Sequence, residues 1–338
     1  MELKIQQNKE SDIKLDISFQ EEQIQEEIPR LDREARRGNW TGSQFKKLMT
    51  CSSSGSRLDW FNKDKVFHFS ESSLKYIFAN AMERKTGRYI LTDSTKEMKY
   101  GTKVEPLIFK RAAEVLKQKG LILQKVGYKP FPNMPTAGVS SDSIVRTEEG
   151  EIVASFESKA CASWTTLYDR TYEQMDDSST DFWQTQGQML AWDVEENYYC
   201  VISPPQDINK YLYCENIMDF YDDWCDETEM TIEIVKKSPI HLSCLEKRLR
   251  IAEAVVERFL CGEEENLKEV LYEEIDYFKQ CFHDEEKGEE IQKQEKDFIE
   301  KTDENVLEDF EGALFQENQQ QEQNEEEEEE VDMNDLPF

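Results

Sequence analysis

The sequence predicts an α/β (α+β) fold, and three observations carry that prediction. Between 138 and 160, two apolar segments flank a charged turn ending at Gly150, the pattern of a β-hairpin. Helical periods stand on either side of it: Val104, Leu107, Ile108, Ala112, Val115 and Leu116 before, and the stretch 181–194 after. Further short strand-like stretches follow at 198–203, 210–214 and 230–235. A chain of 338 residues, 38% of them hydrophobic, can bury a sizeable core in one large domain or two.

Taken in order, residues 1–30 are polar, rich in Gln and Glu, and read as a loose arm; 31–283 read as the folded domain and 284–338 as a tail. Near 41–49, Thr41 or Ser43 can cap a helix with Phe45, Leu48 and Met49 on its apolar side. Arg36, Ser43 and that helix N-terminus would together make a phosphate pocket; an ordinary capped surface helix is the plainer reading. Residues 50–70 are Ser-rich, then aromatic and basic: Trp60, Phe61, Lys63, Lys65, Phe67 and Phe69. Rings that stack on bases and lysines that bind phosphates would form a wedge against DNA, and the same residues would serve equally as core rings with a few surface charges. An amphipathic helix is expected over 72–84.

The 104–116 period predicts a helix stopped by Gly120. Glu105 falls in its first turn, on the side away from the apolar stripe, where an acid is either a partner of the helix dipole or a third carboxylate near a metal. Within 181–194, Gln184 and Gln188 lie on one face at i, i+4; buried glutamines need partners, so the pair is expected to organise a water or phosphate network. A Pro-Pro turn joins the strands 198–203 and 210–214. Ser238 then caps, Pro239 takes the first helical position, and Leu245, Leu249, Ala252, Val256 and Phe259 mark a helix to about Gly262. A last helix covers 267–282.

The net charge of −32 looks wrong for a protein that handles a polyanion until it is divided. Residues 284–338 hold 23 Asp and Glu against 4 Lys, while 33–130 hold 21 Lys and Arg against 9 Asp and Glu. The basic half can track nucleic acid; the acidic tail, with its run of glutamates at 325–330, is expected to be disordered. No apolar run approaches the ~18 residues of a membrane span, and the N-terminus lacks an apolar signal region. The eight cysteines are spread out with no CxxC, which points to reduced thiols in a cytoplasm and away from an iron–sulfur cluster.

The chemistry sits on the hairpin. Glu157 and Lys159, two apart in a strand, share a face, and the hairpin can bring Asp142 beside them. Two carboxylates at a strand end make a hard, all-oxygen site suited to Mg²⁺ or Mn²⁺. A lysine next to them can orient or deprotonate a metal-bound water, as phosphodiester cleavage requires. In isolation the same pattern also describes a solvated strand edge with an ion pair.

Five signals stand in one order: Arg36-x6-Ser43, the run Gly-Thr-Lys-Val-Glu at 101–105, Ser141-Asp142, Glu157-Ser-Lys159, and Gln184-x-Gln186. This order, over roughly residues 30–215, resembles the YqaJ-like viral recombinase family. The resemblance implies a PD-(D/E)xK, restriction-endonuclease-like core, a mixed central sheet flanked by helices. It implies a Mg²⁺-dependent exonuclease that degrades linear duplex DNA from the 5′ end and leaves 3′ overhangs for recombination. By the same resemblance Asp142, Glu157 and the Ser158 carbonyl hold metal, with Glu105 near or through water. Lys159 is the catalytic lysine, Gln184 or Gln186 the glutamine after the hairpin, and Arg36 with Ser43 the 5′-phosphate pocket. Trimerisation is a further expectation of the family. The family's Ser-Pro-Asp-Gly is Ser-Ser-Asp-Ser here, at 140–143, which alters the backbone beside the aspartate and leaves the ligand itself. A nickase or endonuclease, and a catalytically silent DNA-bound scaffold, stand as alternatives. The extreme C-terminus, Asp335, Leu336, Pro337 and Phe338 after an acidic run, resembles the tail tip of bacterial single-stranded-DNA-binding proteins. That implies docking on a recombination, annealing or replication protein, with the Phe338 ring in an apolar pocket. A merely solubilising tail, or one that competes with DNA for the basic half, are the other readings.

Overall fold

The computed structural model describes residues 35–88, 94–171, 175–262, 266–285 and 287. The chain separates into two units, Met1–Ile275 and Asp276–Phe338; of the second, the described residues are helical. Eight strands are described in the first unit: β1 (Trp40–Thr41), β2 (Leu121–Lys125), β3 (Tyr128–Phe131), β4 (Met134–Ser140), β5 (Ser143–Thr147), β6 (Ile152–Ala160), β7 (Glu196–Ile202) and β8 (Met230–Lys236). They form a five-stranded sheet in the order β2-β5-β6-β7-β8 and a three-stranded sheet in the order β1-β4-β3. In the larger sheet β6 and β7 are parallel and every other pair is antiparallel, so the central sheet is mixed, as expected.

Eight helices accompany them: α1 (Phe45–Met49), α2 (Glu71–Thr86), α3 (Lys96–Lys117), α4 (Trp164–Thr171), α5 (Thr180–Trp192), α6 (Ile208–Leu212), α7 (Tyr221–Glu227) and α8 (Pro239–Cys261), followed by a helix from 267. Parallel neighbours cannot be joined by a tight turn. The chain therefore travels from β6 to β7 through α4 and α5. α3 covers one face of the large sheet: Tyr100, Val104, Leu107, Ile108 and Leu116 bury against Val145, Ala154, Phe156, Cys200 and Ile202. α5 covers β6 and β7 and reaches the small sheet through β4. Gly187 permits that approach, since a Cβ there would lie 2.6 Å from the Phe45 ring and 3.2 Å from Val139. No described helix is long and apolar enough to cross a membrane.

The hairpin differs from its sequence reading in one important respect. β5 and β6 pair as expected, around a turn with Gly150 at φ 93°. The first arm, however, is two strands: β4 pairs with β3 and β1 in the small sheet, and the chain leaves it at Ser141–Asp142 to enter the large one. An apolar run states that residues are buried; it does not state against which neighbour.

Three other expectations are corrected. α3 begins at Lys96, where Thr95 caps by accepting from the Met98 N–H, so Glu105 stands mid-helix rather than in a first turn. Pro106, a residue favoured at helix starts, lies well inside the helix. The stretch 210–214 is not a strand. Asp207 accepts from the Asn209 N–H and starts α6, whose Tyr211 joins the core; a local cap outcompetes the β-propensity of Tyr-Leu-Tyr. Neither Thr41 nor Ser43 caps α1: Thr41 leads a 3₁₀ turn, Gly42–Gln44, without a side-chain cap bond, and Ser43 is exposed within it. Phe45, Leu48 and Met49 are buried as their spacing requires. Ser238 does occupy the N-cap position of α8, yet its hydroxyl bonds His241 Nδ1 (2.7 Å) and not the backbone.

For 50–70 the core reading holds at Trp60 and Val66, which are buried. The fully buried Arg248 of α8 gathers this segment, donating to the carbonyls of Leu48 (2.7 Å), Val66 (3.0 Å), Lys65 (3.1 Å) and His68 (2.9 Å). Lys65 lies over the Trp60 ring at 4.3 Å, and Phe61 alone of the buried-ring candidates points to solvent, 78% exposed.

Candidate active site

The register of β5 on β6 sets Ser143 opposite Phe156, so the preceding Asp142 arrives beside Glu157 and Ser158. Asp142 Oδ2 accepts from the Ser158 N–H (2.8 Å) and the Ser158 hydroxyl (2.6 Å). Two donors on one oxygen hold this carboxylate at the point where the chain crosses between sheets. Trp192 Nε1 secures the same crossing by donating to Ser141 Oγ (3.1 Å).

Glu157 is buried, with 2% exposure, and both of its carboxylate oxygens accept hydrogen bonds. Oε1 accepts from Lys159 Nζ (2.6 Å) and Gln184 Nε2 (2.7 Å); Oε2 accepts from Gln188 Nε2. Lys159 Nζ also donates to Gln184 Oε1 (3.1 Å) and stands 3.6 Å from Asp181 Oδ1. The Gln184 amide thus binds acid and lysine together. Gln188 Oε1 accepts in turn from Asn197 Nδ2 (2.8 Å), which also donates to Ser155 Oγ (2.8 Å). The helical spacing of Gln184 and Gln188, read from sequence, is what aims both amides at β6. Gln186 turns elsewhere: its Nε2 donates to the Lys236 carbonyl (3.0 Å) and its Oε1 accepts from the Ser238 N–H (2.7 Å), tying the end of β8 to the start of α8. Of the two glutamines carried over by resemblance, Gln184 is at the acid–lysine pair and Gln186 is not.

Burial and the repulsion of Asp142 push the Glu157 carboxyl up to about 7, against the opposing pull of Lys159 and Gln188. Burial alone would lower Lys159, but Glu157, Asp181 and Asp142 outweigh it, and the ammonium is held above the ordinary lysine range. Burial and Asp142 likewise raise Glu105. Glu105 therefore feels the site's field, yet it pairs with Lys125 (3.5 Å). Among the described residues no three Asp, Glu, His or Cys side chains close on one point as metal ligands. Asp142 and Glu157 are the pair that fits a hard cation: two oxygen donors whose mutual repulsion a divalent ion would relieve. In the structure Ser158 contributes its N–H and hydroxyl, both to Asp142.

Arg36 Nε donates to Ser140 Oγ (2.8 Å), two residues before Asp142. Ser43 follows β1, which runs along β4 with Thr41 opposite Gly138. Both are thus carried by the segment that borders β4. Asp335, Leu336, Pro337 and Phe338 lie outside the described residues.

Sequence reasoning missed Asp181, Arg170, Tyr199, Asn197 and Ser155. An aspartate in the first turn of a helix reads as a dipole partner, and nothing in its spacing announces Lys159. Asp181 Oδ2 accepts from Tyr199 OH (2.5 Å) and Arg170 Nε (3.2 Å). Burial works against its ionisation, but Lys159 and Arg170 outweigh it and hold the carboxyl below the usual range.

No family model and no curated protein matches the chain. Among solved structures it is similar to an alkaline exonuclease from Laribacter hongkongensis, at 20% identity over 74% of this chain and 96% of that one, with a TM-score of 0.44. The same enzyme in complex with dAMP gives 20% identity, the same coverage and a TM-score of 0.43. A phage-related exonuclease from Haemophilus somnus 129PT is 14% identical over 67% of this chain and 96% of its own, with a TM-score of 0.49.

Proposed function

We propose that this protein is a metal-dependent DNA exonuclease acting 5′ to 3′ on linear duplex ends and leaving 3′ overhangs. The observation that carries the reading is the Asp142–Glu157–Lys159 cluster: one carboxylate just before β5 and one within β6, with an ammonium 2.6 Å from the latter. Asp142 and Glu157, with the Ser158 backbone carbonyl, would hold Mg²⁺ or Mn²⁺, and Glu105 would lie near it or act through water. The bound ion would supply Lewis acidity and a water of lowered pKa.

The residues themselves perform the positioning. Lys159 Nζ, kept protonated by the surrounding carboxylates, donates to the scissile phosphate and offsets charge that develops there. Gln184 fixes the distance between Lys159 and Glu157 by bonding both. Gln188 holds the second oxygen of Glu157, so the carboxylate cannot rotate away. Arg36, placed beside the Asp142 turn through Ser140, is suited to a terminal 5′-phosphate together with Ser43. The basic stretch 33–130 supplies a sequence-independent, salt-sensitive grip on the backbone. Trimerisation and docking of the tail tip 335–338 on a recombination or replication protein complete the proposal.

The test uses end-labelled linear duplex and closed circular duplex, with and without Mg²⁺. Metal-dependent nucleotide release from the linear form alone supports the reading. Nicking of the circle would make the protein an endonuclease, and no release from either would leave a DNA-bound scaffold.

A further inference from the structure

The Lys159 ammonium has three N–H groups to place. Two have hydrogen-bond partners, Glu157 Oε1 at 2.6 Å and Gln184 Oε1 at 3.1 Å. Asp181 Oδ1 lies 3.6 Å from the same nitrogen, an ion pair just beyond hydrogen-bond length.

Asp181 is itself immobilised. Its other oxygen takes the Tyr199 hydroxyl at 2.5 Å and Arg170 Nε at 3.2 Å. The anchors come from different elements. Tyr199 lies on β7 directly opposite Glu157 in the β6–β7 ladder. Arg170 lies in the last turn of α4 and Asp181 in the first turn of α5, which Ser179 fixes by accepting from the Asp181 and Phe182 N–H groups. Side-chain exposure is 14% for Asp181 and 18% for Lys159, so solvent screens their attraction weakly. A carboxylate held by two side chains from different elements is a fixed charge rather than a mobile surface acid.

Glu157 is a poor permanent partner for the lysine. Its oxygens are needed as ligands under the function proposed above, on which this inference rests. An oxygen that donates to a cation attracts an ammonium less. Asp181 has no such duty in that function, and its other oxygen is already committed to Tyr199 and Arg170. We infer that Asp181, clamped by Arg170 and Tyr199, is the positioning residue that holds the Lys159 ammonium at the reacting phosphate. Neither Asp181 nor its clamp touches DNA in this assignment. Their effect passes through the lysine.

The experiment compares the full-length wild type with Asp181→Asn, Asp181→Glu and Tyr199→Phe. Asparagine keeps the shape and an acceptor for Tyr199 while removing the charge. Two quantities are read: kcat and KM on 5′-phosphorylated linear duplex with Mg²⁺, and the rate of Lys159 acetylation by an N-hydroxysuccinimidyl ester in EDTA, followed by peptide mass spectrometry. Asp181→Asn is expected to lower kcat at least tenfold with KM within twofold, and to speed Lys159 acetylation at least threefold. Asp181→Glu should recover part of both. Tyr199→Phe, which keeps the charge and loosens one anchor, should move both quantities in the same direction by less, and it decides the matter if Asp181→Asn does not fold. Wild-type kcat and an unchanged acetylation rate in the variants would overturn the inference. Should the wild type itself release no nucleotides, the nuclease reading fails, and the acetylation rates alone still decide whether Asp181 restrains Lys159.

Discussion

Replacing Gln188 with methionine tests whether Glu157 is a buried acid whose charged form depends on its hydrogen bonds. The substitution keeps an unbranched side chain of similar size at a site with no exposure. It removes the N–H that Glu157 Oε2 accepts and the acceptor of one Asn197 Nδ2 bond. Asn197 keeps Ser155. A hydrogen bond to an ionised group is worth about 1.5–3 kcal/mol, and a neutral one about 1 kcal/mol, so the loss should total roughly 2–4 kcal/mol while Glu157 is charged. In a domain of this size that corresponds to a Tm drop of roughly 4–16 °C. The pH dependence has a definite sign. Folding raises the Glu157 carboxyl from 4.5 to about 7. Its contribution to stability is therefore full below about 4.5 and is lost as pH rises through about 7. The Gln188 bond favours the ionised form. Without it the folded value rises further, and the variant loses stability over a wider span of pH than the wild type. Urea denaturation in EDTA at pH 5.5 and 8.5 should thus give the smaller difference between the two proteins at the lower pH, where the neutral bonds of about 1 kcal/mol each are still lost, and the full difference at the higher. Equal differences at both pH values, or a loss under about 0.5 kcal/mol at pH 8.5, would refute the assigned network.

Asp142→Asn and Lys159→Ala should each abolish nucleotide release while leaving the cooperative unfolding transition in place, because neither residue belongs to the apolar core; near-normal release by either variant would remove it from the mechanism. Arg36→Ala should slow digestion of 5′-phosphorylated ends more than of 5′-hydroxyl ends, since the guanidinium binds a terminal phosphate by charge-assisted bonds; equal slowing would reduce it to a backbone contact or a brace for Ser140. A peptide of residues 325–338 should capture a recombination or replication partner that the same peptide without Phe338 does not, and identical capture by both would end the docking proposal.

Local pattern was enough for several parts of this protein. Alternation placed Glu157 and Lys159 on one face of β6, and the structure puts them 2.6 Å apart. The spacing of Gln184 and Gln188 fixed their shared direction, and the period of Val104, Leu107 and Ile108 found the helix that buries the far side of the sheet. These features depend on the geometry of one element, which its own residues dictate. The sequence could not divide 138–145 between two sheets, because the pairing partners of a strand lie elsewhere in the chain. It set Glu105 in a first turn because the apolar period is first legible at Val104, although the helix starts at Lys96, and it read 210–214 as a strand from its apolar residues, although Asp207 caps a helix there. The choice between Gln184 and Gln186, and the clamp of Arg170 and Tyr199 on Asp181, waited for the crossover that lays α4 and α5 against β6 and β7. Periodicity tells which way a side chain points. Only the tertiary fold supplies what it points at, and a buried charge takes its ionisation and its role from that neighbour.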